Sequence, residues 1–402
     1  MTQTPQAQPS KAQPSAAPPS PAPPSQPHGA PKAPLIPAIR RSPGGGPSAG
    51  PASGAPAPAV PPPAVPAAPA APSTPAAPPN GANPIRFGLC GAAGGGKTTF
   101  LASLHIAIGA TNQRQAGQWT MTAADPASLN FLVDREQELV AGRKFPEATS
   151  ADTHLQWQID GTLPATPGRR GLLRRGRTPE PVSFSLDVED QPGGRFLLDP
   201  NSPFPMSEQG VERLAHADAL VFLFDPMREI GRAKDVNSNW LYFNKLIQTL
   251  KMRLWHRGRL VNGRLPHHVA VCVTKFDNPA VFLPAFRARL IDVDEDGTPR
   301  VPGDRAEEYF TWICEQIDRQ SVDASTEQFR HLLHTELLDG HVHYFGTSSV
   351  GFWTEPGGRF NIDDFQNFER VDGEWRLRGR IRPVNVLEPL IEIERMIRLG
   401  AR

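Results

Sequence analysis

Cysteine is scarce in this chain of 402 residues: only Cys90, Cys272 and Cys314 occur. Odd in number and far apart, they form neither a disulfide framework nor a metal-spaced pair, which suits a reducing compartment. No run of about 18 apolar residues is present, so no transmembrane helix is expected. The N-terminal MTQTPQAQPS lacks the apolar core of a secretory signal. The default expectation is therefore a cytoplasmic protein. Acidic side chains are absent from residues 1–84, whose only charges are Lys11, Lys32, Arg40 and Arg41. The whole chain is +1, so residues 85–402 carry 38 basic against 41 acidic groups. That mixed, nearly neutral surface argues against a general nucleic-acid partner.

Proline is abundant and unevenly placed, with 27 of the 46 in residues 1–84. This Pro/Ala/Ser/Gly segment has few large apolar residues to offset the entropy of ordering. It is expected to be a disordered tail with polyproline II character. Its PxxP matches, such as Pro21–Pro24, arise by chance in so proline-rich a stretch, and a linker is the plain reading.

From Ile85 the texture changes. Apolar strand candidates are 85–91, 154–160, 182–189, 219–224, 268–274 and 341–346. Helix candidates are 97–110, 207–217, 235–256, 280–290, 305–319, 324–338 and a last amphipathic helix over about 384–399. Strands alternating with helices predict an α/β sheet covered on both faces. Three stretches look like insertions, at about 161–181, 278–340 and 351–382. The first carries Arg169, Arg170, Arg174, Arg175 and Arg177 among glycine and proline and reads as a solvated loop. The pairs His267–His268 and His341/His343 lie at strand ends with no metal-site spacing and read as structural.

Gly91-Ala-Ala-Gly94-Gly95-Gly96-Lys97-Thr98 matches G-x-x-x-x-G-K-[ST]. Glycines allow the backbone to wrap a phosphate with its N–H groups pointing inward. The N-terminus of the following helix, with Thr98 and Thr99, adds its partial positive charge. Lys97 reaches the β- and γ-phosphates, and the Thr98 hydroxyl is a ligand for Mg²⁺. The loop follows a strand and opens a helix, as this chemistry requires.

The strand 268–274 ends in Thr274-Lys275-Phe276-Asp277. An aspartate here accepts hydrogen bonds from both N1–H and the 2-amino group of guanine, a donor pair adenine lacks. Lys275 can lie along the base plane. The next strand leads into Thr347-Ser348-Ser349, a small-residue turn whose backbone N–H is suited to guanine O6.

In motif order the chain resembles the Ras-like G domain of the translation-factor-related GTPases, over roughly residues 85–277, 341–350 and the final helix. The resemblance implies a three-layer P-loop fold with a six-stranded, mostly parallel sheet and one antiparallel edge strand. It also implies further contacts. Thr149, in Pro146-Glu-Ala-Thr149, takes the place of the switch I threonine that binds Mg²⁺ and senses the γ-phosphate, with Thr153 as a nearby competitor. Asp190-Gln-Pro-Gly193 matches D-x-x-G, with Asp190 holding Mg²⁺ through water and the Gly193 N–H contacting the γ-phosphate. Asp199-Pro-Asn-Ser is a rival that lacks the glycine.

The chain departs from the pattern at Gly194, where many relatives carry the glutamine that orients the attacking water, and at Ala93 inside the loop. Intrinsic hydrolysis is then expected to be slow, or to draw on Arg195, the Arg169–Arg177 cluster or a partner protein. The helix-Gly-x-x-x-Pro-x-x-Thr approach from Leu139 to Thr149, and Pro383–Leu390 entering the last helix, resemble bacterial double-GTPase-type proteins of multi-gene defence or signalling systems. The expected function is a Mg²⁺-dependent GTP-binding switch that hydrolyses GTP and controls a partner protein. The alternatives are a P-loop ATPase, for which Val221-Phe-Leu-Phe-Asp225 is the nearest acidic-strand match, and a nucleotide-binding scaffold with little hydrolysis.

Overall fold

The computed structural model describes residues 84–92, 94–114, 118–147, 153–163, 180–190, 207–230, 238–320, 325–355 and 357–400. All of them belong to one unit, Thr74–Arg402. The expected disordered tail and the arginine cluster of the first insertion lie outside the described residues.

Seven strands form the main sheet: β1 (Ile85–Gly91), β2 (Thr120–Ala123), β3 (Thr153–Leu163), β4 (Glu180–Asp190), β5 (Ala219–Phe224), β6 (His268–Val273) and β9 (Val342–Gly346). Their order is β2-β3-β4-β1-β5-β6-β9. The five strands β4, β1, β5, β6 and β9 run parallel, whereas β3 is antiparallel to β4 and β2 to β3. Two short hairpins lie outside it, β7 (Asp292–Val293) with β8 (Pro299–Arg300) and β10 (Phe368–Val371) with β11 (Glu374–Leu377).

The inner strands read as continuous apolar runs because both faces are covered. Every residue of β5 is buried, and its side chains alternate between two cores. Leu220, Phe222 and Phe224 pack under α3 (Glu208–His216), α4 (Asn239–His256), α5 (Pro279–Arg287), α6 (Ala306–Asp318) and α7 (Ser325–Glu336). Ala219, Val221 and Leu223 face α1 (Lys97–Arg114) and the final helix α8 (Glu388–Gly400). The first core is rich in phenylalanine: Phe222 and Phe243 meet edge to face at 4.8 Å, and Phe329 lies 4.7–6.1 Å from Phe222, Phe224, Phe243 and Phe310. The three helices of the 278–340 insertion thus build part of one layer.

The arrangement is the three-layer α/β fold expected of a P-loop G domain, with one correction. The sheet has seven strands instead of six, and its one reversed strand, β3, is not the edge strand, because β2 pairs outside it. The extra strand β2 is only four residues, Thr-Met-Thr-Ala, and carries the weak alternation of an edge. It leads into α2 (Pro126–Val140), which starts on a clear cap: the Asp125 carboxylate accepts from the Ser128 N–H at 2.8 Å and its hydroxyl at 2.9 Å. Those bonds hold the Asp125 carboxyl below the usual aspartate range. The Ser128 hydroxyl in turn accepts from the Gln156 N–H, tying α2 to β3.

Candidate nucleotide-binding site

The C-terminal ends of the parallel strands share one rim, because the registers pair Gly91 with Leu223, Leu223 with Cys272 and Cys272 with Phe345. Ligands of open α/β sheets bind at this kind of edge. The Gly91–Thr98 loop leaves the rim from the central strand β1. At Gly91 the backbone passes so close to β5 that a Cβ would stand 2.9 Å from the Leu223 carbonyl oxygen. Gly96 adopts φ 92°, a conformation closed to ordinary side chains. The loop folds on itself through Gly95 N–H to Ala92 O (3.1 Å), and α1 starts with Phe100 N–H on Gly96 O (2.8 Å). The Lys97 ammonium donates to the Gly91 and Ala92 carbonyls at 2.9 and 3.4 Å. Thr98 and Thr99 occupy the first turn of α1, whose N–H groups have no intrahelical acceptors. Ala93 lies outside the described residues. Cys90, buried just before the loop, has its thiol pushed up to about 12 by burial and is inert there.

Two positions along the rim, β6 ends in the Thr274–Asp277 segment. The Thr274 N–H and hydroxyl both donate to the Phe224 carbonyl, at 2.8 and 3.2 Å. Lys275 has φ 56° and places its ammonium 2.6 Å from a carboxylate oxygen of Asp225, the buried residue that ends β5. Phe276 is fully buried and anchors the loop against Phe282, Tyr309 and Phe352 at 5.5–5.9 Å. Asp277 is buried, with the Ser348 side chain near enough to favour its charged form. Burial raises its carboxyl above the usual aspartate value, only partly offset by Ser348 and Lys275.

The Thr347–Ser349 turn is held beside this segment, with Phe276 N–H on Thr347 O (3.2 Å) and Thr347 N–H on Val273 O (2.8 Å). Ser348 is locked: its N–H donates to Val384 O at 3.0 Å and its hydroxyl accepts from Gly351 N–H at 2.8 Å. The structure therefore commits the Ser348 N–H to the chain, leaving Ser349 as the turn's candidate for a base oxygen. The sequence-derived residues thus divide cleanly. Gly91, Gly94, Gly95, Gly96, Lys97, Thr98 and Thr99 lie at the β1–α1 turn, and Thr274, Lys275, Asp277, Ser348 and Ser349 at the ends of β6 and β9.

Asp190 ends β4, three residues past Asp187, the last residue of β4 paired with β1. Across β3 its backbone partner is Thr153. Thr149, Gly193, Gly194 and Arg195 lie outside the described residues. Among the described residues no group of three His, Cys, Asp or Glu is placed to hold a metal alone. Mg²⁺ needs no such cage, since it binds through one or two protein oxygens with phosphates and water. The histidine pairs sit at the opposite end of the strands, where the His268 and His341 rings stack at 3.8 Å.

The strand order and the loop joining β1 to α1 decide the fold. It is a three-layer α/β fold with a P-loop-type turn between β1 and α1. No protein-family model matches the chain, and no curated protein sequence does. Among solved structures it is similar to the Saccharomyces cerevisiae Ski7 GTPase-like domain bound to GDP and inorganic phosphate (13% identity, TM-score 0.30). That match covers 66% of this chain and 43% of the other. It is also similar to the signal recognition particle receptor SRb-GTP/SRX complex of Chaetomium thermophilum (14%, TM-score 0.30), over 68% of this chain and 94% of that one. A bacterial selenocysteine-specific elongation factor, EF-Sec, aligns at 14% identity and TM-score 0.26, over 67% of this chain and 26% of that one. The chain thus spans less than half of the Ski7 and EF-Sec chains. At this level of likeness the fold reading stands on the chain's own topology.

Sequence reasoning missed the polar network behind the rim. Asn239 receives the Asp225 N–H at 3.2 Å and donates to the Asp225 carbonyl at 2.9 Å. Its N–H and side-chain amide also donate to Glu229, at 2.5 and 2.9 Å. Glu229 is buried, its carboxyl raised by burial, and accepts from the Ser325 hydroxyl at 2.9 Å. The signal was the acid itself: Asp225 stood out as an acidic residue ending an apolar strand. Its carboxylate goes to Lys275 and to the Met227 N–H (3.0 Å).

Proposed function

We propose that the domain binds guanine nucleotides along this rim and hydrolyses GTP to GDP and phosphate with Mg²⁺, switching its hold on a partner protein. The observation that carries the reading is the pairing of a P-loop with a buried Asp277 at the far end of the same strand edge. A carboxylate there suits the N1–H and 2-amino donors of guanine, and Ser349 N–H suits O6. Lys275, held by Asp225, forms one wall for the base.

At the phosphate end, the Lys97 ammonium exchanges the Gly91 and Ala92 carbonyls for β- and γ-phosphate oxygens, and the loop N–H groups take the rest. Mg²⁺, held between Thr98, Asp190 and the phosphates, would neutralise charge there. A water oxygen bonds to the γ-phosphorus while the bond to the β-phosphate oxygen breaks. The electron pair stays on GDP, and the water's proton ends on phosphate. No side-chain nucleophile takes part. Thr149 and Gly193 would sense the γ-phosphate, so that its loss releases the segments around them. Gly194, lacking a side chain to orient water, favours a second reading in which the domain binds nucleotide as a scaffold and hydrolyses it slowly. Three buried free cysteines suit a cytoplasmic setting, and no described helix is long and apolar enough to cross a membrane.

The test compares fluorescent GTP and ATP analogues in Mg²⁺ with wild type, Asp277→Ala and Asp277→Asn. GTP should bind more tightly. Asp277→Ala should remove that preference, and Asp277→Asn should move it towards xanthosine nucleotides. Tighter ATP binding that ignores both substitutions would overturn the guanine reading. Single-turnover hydrolysis then separates switch from scaffold.

A further inference from the structure

The strand next to the P-loop delivers a cation onto that loop. β5 runs into a 3-10 turn, Pro226–Arg228, and the Arg228 guanidinium lies 3.9 Å from the position a Cβ on Gly94 would take. Because Gly94 has no side chain and φ 69°, nothing of its own stands between the loop backbone and the arginine. The turn is held by hydrogen bonds at its start and at Glu229. Asp225 caps it through the Met227 N–H at 3.0 Å, and the Arg228 N–H donates to the Asp225 carbonyl at 3.1 Å. The next residue, Glu229, is fixed by Asn239 and Ser325. A half-buried arginine on so rigid a support is preorganised, and a guanidinium matches two phosphate oxygens in one plane.

We propose that Arg228 is a phosphate-contacting residue that donates to the terminal phosphate of a bound nucleoside triphosphate. This rests on the nucleotide-binding reading above and adds to Lys97 a second cation supplied by the same chain. Its place is distinct from Arg195 and from the Arg169–Arg177 cluster, which belong to other segments. Where Gly194 offers no side chain, an arginine built into the fold supplies charge stabilisation that would otherwise need a partner.

The experiment uses the full chain with Mg²⁺, a non-hydrolysable fluorescent GTP analogue and fluorescent GDP, on wild type, Arg228→Ala and Arg228→Lys. Arg228→Ala should weaken the triphosphate analogue roughly tenfold or more, the scale of a charge-assisted hydrogen bond, and change GDP by no more than about twofold. Arg228→Lys should fall between them, since it keeps the charge and loses the paired donors. Equal loss for both nucleotides, or no loss for either, overturns the proposal while wild-type binding leaves the nucleotide reading intact. Wild type that binds neither nucleotide overturns both. If Arg228→Ala lowers the melting temperature, the triphosphate-to-diphosphate ratio of Arg228→Lys decides: a ratio equal to wild type with the bidentate donors gone counts against the contact.

Discussion

The Asp225–Lys275 pair offers a sharp test of how the base-binding end is held. Asp225 is almost wholly buried (1% exposed), whereas Lys275 keeps 42% of its side chain in solvent, and their charged atoms are 2.6 Å apart. The full interior Coulomb energy therefore does not apply, and solvent on the lysine side reduces it. A charge-assisted hydrogen bond with one buried partner gives a coupling of about 1.5–3 kcal/mol. Lys275→Ala leaves a buried carboxylate with only the Met227 N–H, and should cost about 3 kcal/mol, at the low end for breaking a buried pair. Asp225→Asn keeps one oxygen, which can serve the Met227 cap while an uncharged amide NH2 faces Lys275; with no buried carboxylate left unpaired it should cost less, about 1–2 kcal/mol. A double-mutant cycle by urea denaturation isolates the pair from the cap. The same variants should lose roughly tenfold in GTP-analogue affinity, since the lysine is no longer held along the base. A coupling energy below about 0.5 kcal/mol, within ordinary additivity, would refute the claim that this pair fixes the loop.

Two further outcomes follow from particular contacts. Burial raises the Asp277 carboxyl above the usual aspartate range in the free protein, and two guanine N–H donors would lower it in the complex. GTP affinity should then increase as pH rises through the free-protein value and flatten above it; a titration from pH 4 to 7 that is flat in wild type, or equally steep in Asp277→Asn, would contradict this. Gly161 of β3 lies under Trp119, where a Cβ would stand 2.2 Å from the indole ring. Gly161→Ala should destabilise the domain by about 1–3 kcal/mol through overpacking while leaving nucleotide affinity unchanged, as thermal melts and binding titrations would show.

Much of the fold was legible because the inner strands are buried on both faces. The apolar run 219–224 coincides with β5, and the predicted 182–189 and 268–274 fall within a residue or two of β4 and β6. The region between 110 and 154 was not legible beyond a helix ending near Leu139. There β2 is short and polar, and α2 shows solvent Leu129, Val133 and Val140, which blurs the stripe that marks an amphipathic helix. Reading 278–340 as an insertion captured its helices and missed their burial, because Phe282, Phe310 and Phe329 find their partners on β5, α4 and the 352–365 segment, far away in sequence.

The site shows the same divide between local chemistry and distant register. The P-loop and Thr274–Asp277 are contiguous motifs whose residue types state their own requirements, so the two ends were readable in isolation. The role of Asp225 was not. By sequence it is an acid after four apolar residues, which suits a metal-binding strand end as well as a structural one. What assigns it is the pairing of Phe224 with Val273, which brings the residues just past each strand end together across 50 positions of chain. Once Lys275 is the partner, the acid serves the Thr274–Asp277 loop, and through Asn239 and Glu229 the same buried chain of hydrogen bonds reaches Ser325 at the start of α7. Phe276 ties the loop to α5 and α6 by packing. The helices between β6 and β9 therefore brace the residues proposed to read the base, from both sides of the loop that carries Asp277.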